Sequence, residues 1–224
     1  MASRFDGRMG AQVPNGEQPA DERIPPVLPV IPDHELLRCI GQGSYGQVWL
    51  VRSVLGTYRA AKVVFRKSFK SALPFEREFR GIFTYEPISR SHDGLVDVLQ
   101  VGRNDAVGCF YYVMELGDDQ FTKQTIDPEM YSAKTIETEL QLRGRLPVEE
   151  CIEIGAALAS ALMHLHRHGM VHRDIKPANI IFVNGQVKLA DIGLVADMRE
   201  AKTIVGTDGF MAPEGPGTPQ ADIY

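Results

Sequence analysis

From His34 onward the chain alternates short apolar runs with turn-forming residues, which is the pattern of strands. Val48-Trp49-Leu50-Val51 is β-prone and closed by Gly56, and Ala60 to Val64, Leu95 to Gly102 and Cys109 to Met114 read as further strands. Between them, Phe75 to Phe83 places Phe75, Phe79, Ile82 and Phe83 on one helical face. A second helix opens at Leu146-Pro147, with Glu149 and Glu150 near the positive end of its dipole, and is predicted to run to about His168 and stop at Gly169. Its expected apolar face is Ile152, Ala156, Leu158, Ala161, Leu162 and Leu165. Asp118 to Gly144 is polar, irregular and longer than an ordinary connection. Residues 1–33 lack apolar periodicity and end in the proline-dense run Ile24 to Pro32, which predicts a disordered leader and an extended, polyproline-like linker; a docking peptide is the functional alternative.

Composition narrows the class without naming it. With 224 residues, 44% hydrophobic content and a net charge of −5, the chain can bury a core but has no basic excess for nucleic acid. Cys39, Cys109 and Cys151 fit neither a disulfide framework nor a zinc site. No stretch approaches the ~20 apolar residues that span a bilayer. A cytoplasmic location is expected, or a tether through a segment outside these residues.

Candidate chemistry concentrates in His172-Arg173-Asp174-Ile175-Lys176-Pro177-Ala178-Asn179. A carboxylate such as Asp174 can orient a hydroxyl and accept its proton, and Lys176 can neutralise charge growing on phosphoryl oxygens. Asn179 offers a neutral oxygen to a hard cation such as Mg²⁺. Upstream, Gly41-Gln42-Gly43-Ser44-Tyr45-Gly46-Gln47-Val48 has the glycine spacing that lets backbone N–H groups approach phosphates. A dinucleotide-binding turn should open a helix, whereas β-prone residues follow here, and no Gly-Lys-Ser/Thr is present for a Walker A loop. Lys62 is a lone ammonium in an apolar run, costly unless an anion meets it. Glu76 and Glu78 flank the apolar face of the 75–83 helix on opposite sides, so periodicity does not choose a partner for Lys62. His164 and His168 share a helix face at a spacing that could bind metal, but no Glu or Cys completes a motif, and histidine near a helix C-terminus is favoured by the dipole.

Together these motifs resemble eukaryotic-like serine/threonine protein kinases of the bacterial kind, from about His34 to Tyr224. The resemblance implies an α+β, bilobal fold, with a small β-rich N-lobe (34–116) carrying one helix and a mainly helical C-lobe (117–224). It implies ATP and Mg²⁺, or Mn²⁺, as cofactors. Gly41, Gly43, Ser44, Gly46, Val48, Ala60, Met114, Glu115, Gly117 and Ile181 would surround the nucleotide, with Met114 as gatekeeper and the backbone of Glu115 and Gly117 bonding adenine. Lys62 would bind phosphate, paired with Glu78 because Arg77-Glu78 resembles the family signature. Asp191-Ile192-Gly193 stands where the family has Asp-Phe-Gly, making Asp191 and Asn179 the metal ligands. Asp174 would be the base and Lys176 its companion, a serine/threonine pattern. Arg173 would read a phosphate on Thr203, and Thr207 would bond near Asp174 and Lys176. His172 would pack in the core beneath Ile192 and Ile82.

The implied partner is a protein substrate with a Ser/Thr acceptor, together with self-association for autophosphorylation. Ala221 to Tyr224 resembles the start of a further helix whose Asp222 steadies the catalytic loop, so a fragment of a kinase is expected. A nucleotide- or partner-binding module without turnover, and a small-molecule kinase of related fold, are the alternatives.

Overall fold

The computed structural model describes residues 28–43, 46–191, 196–197, 207, 209–215 and 217–224. Five strands form one antiparallel sheet in the order β1-β2-β3-β5-β4: β1 His34–Gln42, β2 Gly46–Ser53, β3 Tyr58–Phe65, β4 Val98–Asn104 and β5 Cys109–Met114. Apolar runs without strict alternation make β3 and β5 strands buried on both faces. On β3 and β5, Val64, Phe110 and Tyr112 face a core shared with helix α1 (Ala72–Ser89), while Ala61, Val63, Phe65, Cys109, Tyr111 and Val113 face a second cluster. Gly46 is fixed by crowding at the start of β2, because a Cβ there would lie 2.3 Å from the Val63 carbonyl oxygen.

The second cluster corrects the leader boundary. Ile31 is 1% exposed and bridges to His34, and Leu28 packs beside it, so residues 28–33 are folded onto the sheet rather than part of a disordered leader. Leu28 and Ile31, set among prolines, cover an apolar sheet face without a regular element of their own, while Val30 between them is 84% exposed. Residues 1–27 lie outside the described residues.

Helix α1 packs Phe75 and Phe79 against Phe110, at ring centroid distances of 5.1 and 5.4 Å, and buries Ile82 and Tyr85. Phe83, expected on that face, is 69% exposed, since the buried stripe continues through Tyr85 and Ile88 instead. Strand β4 begins at Val98, three residues later than expected, because Leu95 and Val96 pair with Leu189 instead.

Beyond β5 the polar stretch resolves into an irregular loop and helix α2 (Ile136–Arg143), started by a reciprocal capping box between Thr135 and Thr138. Helix α3 (Val148–Arg167) follows, with Pro147 at its N-cap, and the chain turns at Gly169 with φ 75°. Its buried residues are Ile154, Ala161, Leu162 and Leu165, whereas Ile152 and Ala156 are exposed. Two residues are 200° apart on a helix, so burying Ile154 turns Ile152 outward. Short strands β6 (Met170–Val171), β7 (Ile180–Val183) and β8 (Gln186–Leu189) then frame the catalytic-loop sequence, and β9 (Ala196–Asp197) pairs with β6. Among the described residues no helix is long and apolar enough to cross a membrane.

Candidate active site

The octapeptide lies between β6 and β7 and is held from below by one carboxylate. Asp222, 5% exposed, accepts the backbone N–H groups of His172 and Arg173 at 2.7 Å each, and His166 Nε2 lies 2.9 Å from its Oδ2. Arg173 adopts φ 74°, a left-handed conformation that is sparsely populated without such anchoring. His172 is fully buried, as expected, with Nε2 3.0 Å from the Ala190 carbonyl oxygen; burial pushes its pKa down, against the pull of Asp222. Ile192, its expected neighbour, lies outside the described residues.

Four side chains converge above that floor. Asp174 Oδ1 accepts a 2.6 Å hydrogen bond from Thr207 Oγ1, and Asp174 Oδ2 accepts one of 2.8 Å from Asn179 Nδ2. Lys176 Nζ is 2.8 Å from Asp174 Oδ2 and donates to Thr207 Oγ1 at 2.7 Å. Asn179 also donates to the Asp174 carbonyl oxygen at 2.9 Å, so its amide nitrogen is committed to the loop and its oxygen is the atom left to serve as an acceptor.

A second cluster joins the sheet to the end of β8. Lys62 Nζ donates to Asp191 Oδ1 at 2.6 Å, with Asp191 at φ 58°. The expected Lys62–Glu78 pair is not a direct one: among the described residues neither a hydrogen bond nor an ion pair joins them, though each carboxylate and ammonium lies within electrostatic reach. Burial raises the Glu78 pKa to about 7, Lys62 opposes that rise, and Asp191 adds to it. Asp191, its side chain 39% exposed, is the carboxylate in contact with the ammonium. Burial penalises the Lys62 ammonium, but the carboxylates of Asp191 and Glu78 oppose that penalty and its pKa is raised. Tyr112 is directly opposite Lys62 in the β3–β5 register and fully buried, a neighbour the sequence reading missed. Glu76, the other αC candidate, is engaged elsewhere, receiving Arg103 Nη1 and Nη2 at 2.7 and 2.9 Å.

The sheet and β7 bring some of the residues expected around a nucleotide together in pairs. Ala60 pairs with Met114 across β3 and β5, Val48 pairs with Gly41 across β1 and β2, and Gly117 lies against Ile181, whose Cδ1 is 3.5 Å from where a Gly117 Cβ would be. At Gly43 nothing among the described residues lies within 4 Å of a would-be Cβ. Ser44, Gly193 and Thr203 lie outside the described residues. Glu115 does more than its backbone suggested: its Oε2 accepts Lys188 Nζ at 2.6 Å and the Asp97 N–H at 3.0 Å. The signal was present, since Lys188 is a lone ammonium in the apolar run Val187 to Ala190, the same pattern that singled out Lys62.

The catalytic-loop sequence thus gathers Asp174, Lys176, Asn179 and Thr207, and a separate ion pair joins Lys62 to Asp191. The chain belongs to the protein kinase domain family, whose sequence model matches residues 34–222. It is 32% identical over 180 residues to "Probable serine/threonine-protein kinase CPE1738" of Clostridium perfringens, covering 80% of this chain and 24% of that protein. It is 26% identical over 201 residues to serine/threonine-protein kinase PrkC of Bacillus subtilis, covering 85% and 28% respectively. To serine/threonine-protein kinase PknA of Mycobacterium tuberculosis it is 29% identical over 205 residues, covering 85% and 44%. The chain thus spans from about a quarter to under half the length of these curated relatives. The expected α+β kinase fold and the bacterial serine/threonine kinase class are borne out at the level of family.

Proposed function

We propose that the chain catalyses phosphoryl transfer from Mg-ATP to Ser or Thr hydroxyls of protein substrates, with Asp174 as the base. The observation that carries this reading is the Thr207 hydroxyl, 2.6 Å from Asp174 Oδ1 and 2.7 Å from Lys176 Nζ. The carboxylate and ammonium are already spaced to hold a hydroxyl between a proton acceptor and a cation, which is what an acceptor Ser or Thr requires.

The donor set fits the nucleotide and its cation. Carboxylate Asp191 and carboxamide Asn179 are the oxygen ligands a hard cation prefers, and buried Lys62 supplies an ammonium for phosphate. Mg-ATP would be held by Lys62, Asn179, Asp191 and the glycine loop, and would supply the electrophilic phosphoryl group with its charge partly neutralised. Asp174 orients the acceptor oxygen and takes its proton as the oxygen attacks. Asn179 fixes the Asp174 carboxylate so that one oxygen faces the hydroxyl, and Lys176 balances charge on the reacting oxygens. Asp222 keeps the peptides before Asp174 in place.

Radiolabelled ATP incubated with a generic basic protein tests the reading. Incorporation on Ser and Thr by the wild type, reduced about 10²–10⁴-fold by Asp174→Asn, is expected. Label confined to phosphotyrosine, or an unchanged rate in D174N, would refute it.

A further inference from the structure

The stretch between Gly117 and α2 carries none of the sequence motifs, yet it is tied to the body of the protein along its length. Asp118 accepts the N–H groups of Asn184 and Gly185, capping the β7–β8 turn at 2.8 and 2.7 Å. Asp119 accepts the N–H groups of Phe121 and Thr122 at 2.8 Å and of Ser132 at 2.9 Å; these bonds lower its pKa although burial pushes the other way. The Lys134 carbonyl accepts Phe182 N–H at 3.1 Å, and Thr135 bridges to Ile181.

Two further contacts leave this loop towards the nucleotide pocket. Arg38, on β1 three residues before Gly41, donates Nε to the Pro128 carbonyl at 2.9 Å and Nη2 to the Tyr131 carbonyl at 2.6 Å. Tyr131, 4% exposed, donates its hydroxyl to the Gly117 carbonyl at 3.0 Å. The next atom along that peptide, the Asp118 nitrogen, donates to the Phe182 carbonyl at 2.6 Å. The 117–118 peptide is therefore pinned at both its oxygen and its nitrogen. Glycine has the widest backbone freedom of any residue, so without those two bonds the orientation of Gly117 would have to be fixed when a ligand arrived.

We propose that residues 118–134 form a clasp that sets nucleotide affinity: by fixing the 117–118 peptide, Tyr131 limits rotation about Gly117 and so steadies the adjoining Gly117 N–H, and Arg38 ties the strand leading to the glycine loop to the same segment. Both are positioning residues that reach the nucleotide only through others. The proposal rests on the reading of Gly117 as an adenine-binding residue. Preorganisation of this kind acts on ground-state binding and not on proton transfer at Asp174, which lies on a separate loop. Its signature is a change in Kd and KM with kcat preserved.

The test is calorimetric titration of the full chain with Mg-ADP, alongside steady-state kinetics in ATP. Tyr131→Phe keeps the ring and removes only the hydroxyl, and Arg38→Met keeps an apolar stem. Met130→Ala, 75% exposed on the same loop, is the control. Each of Y131F and R38M is expected to weaken Mg-ADP binding and raise the KM for ATP about 3–10-fold, with kcat within about twofold of wild type. The double variant should lose less than the product of the two, because one clasp is broken either way. M130A should bind as wild type.

Mg-ADP affinities of Y131F and R38M equal to wild type would overturn the clasp, whatever happens to thermal stability, and so would fully multiplicative effects in the double variant. A wild-type chain that binds no Mg-ADP would overturn the nucleotide reading beneath it as well, and the two failures are thereby told apart.

Discussion

Replacing Asp222 by Asn isolates the support of the catalytic loop. The side chain keeps its size, but one of two acceptor oxygens becomes an NH₂ group. Asp222 is 5% exposed and its two oxygens receive the His172 and Arg173 N–H groups at 2.7 Å each. In D222N only one of these amides keeps an acceptor, the other faces a donor, and the charge assistance to both is gone. A hydrogen bond to a charged group contributes roughly 1.5–3 kcal/mol, and a buried donor left unpaired costs roughly 1–3 kcal/mol. Allowing for partial relaxation, the net loss is about 3 kcal/mol. For a domain of this size that corresponds to a melting temperature lowered by about 6–12 °C. Thermal unfolding followed by far-UV circular dichroism measures it, with the 73%-exposed neighbour Ile223→Ala as a control expected within about 0.5 kcal/mol of wild type. Phosphoryl transfer should fall more than stability does, since displacing Asp174 by about 1 Å costs on the order of 10²-fold. A D222N protein melting within about 2 °C of wild type would show that the loop is held by something else.

Glu78 has a pKa raised to about 7 by burial, so the folded state retains a proton that the unfolded chain gives up in the ordinary carboxylate range. Its contribution to stability is therefore present at acidic pH and lost as pH rises through about 7. Glu78→Gln should flatten that decline in denaturant titrations across pH 4–8, and an unchanged slope would remove Glu78 from the account. Lys188→Met strands the Glu115 carboxylate, now 2.6 Å from Lys188 Nζ, and should cost on the order of 3 kcal/mol in urea unfolding; a cost under about 0.5 kcal/mol would mean that water replaces the pair. Thr203→Ala should slow substrate phosphorylation if a phosphate there pairs with Arg173. Wild-type turnover by T203A after preincubation with ATP would dispose of the switch.

Much of the site was legible because its chemistry is packed into short stretches of sequence. The spacing of Asp174, Lys176 and Asn179 is local, and so is the run of Cys109 to Met114, which forms a strand with the expected boundaries. What was hidden is what depends on distant partners. The wheel of the 75–83 helix could not choose between Glu76 and Glu78, and neither pairs directly with Lys62: Arg103, on β4, takes Glu76, and Lys62 takes Asp191. In α3, apolar residues occur on several faces, so which stripe is buried depends on where the helix is laid, and Ile154 was buried in place of Ile152. The 118–134 loop read only as polar and irregular because its order comes from buried Asp carboxylates accepting backbone N–H groups, a pattern with no periodicity to read.

Ile31 lies outside the 34–222 span that matches the family, yet only 1% of its surface is exposed. The span that the family model matches and the unit that excludes water from this sheet therefore have different starting points. Cutting the gene at the family boundary would uncover the face bearing Val51, Val63 and Val113, converting a covered surface into one prone to aggregate. For this chain, expression trials and deletion series are best begun several residues upstream of His34, where solubility is decided by hydrocarbon contact and not by motif.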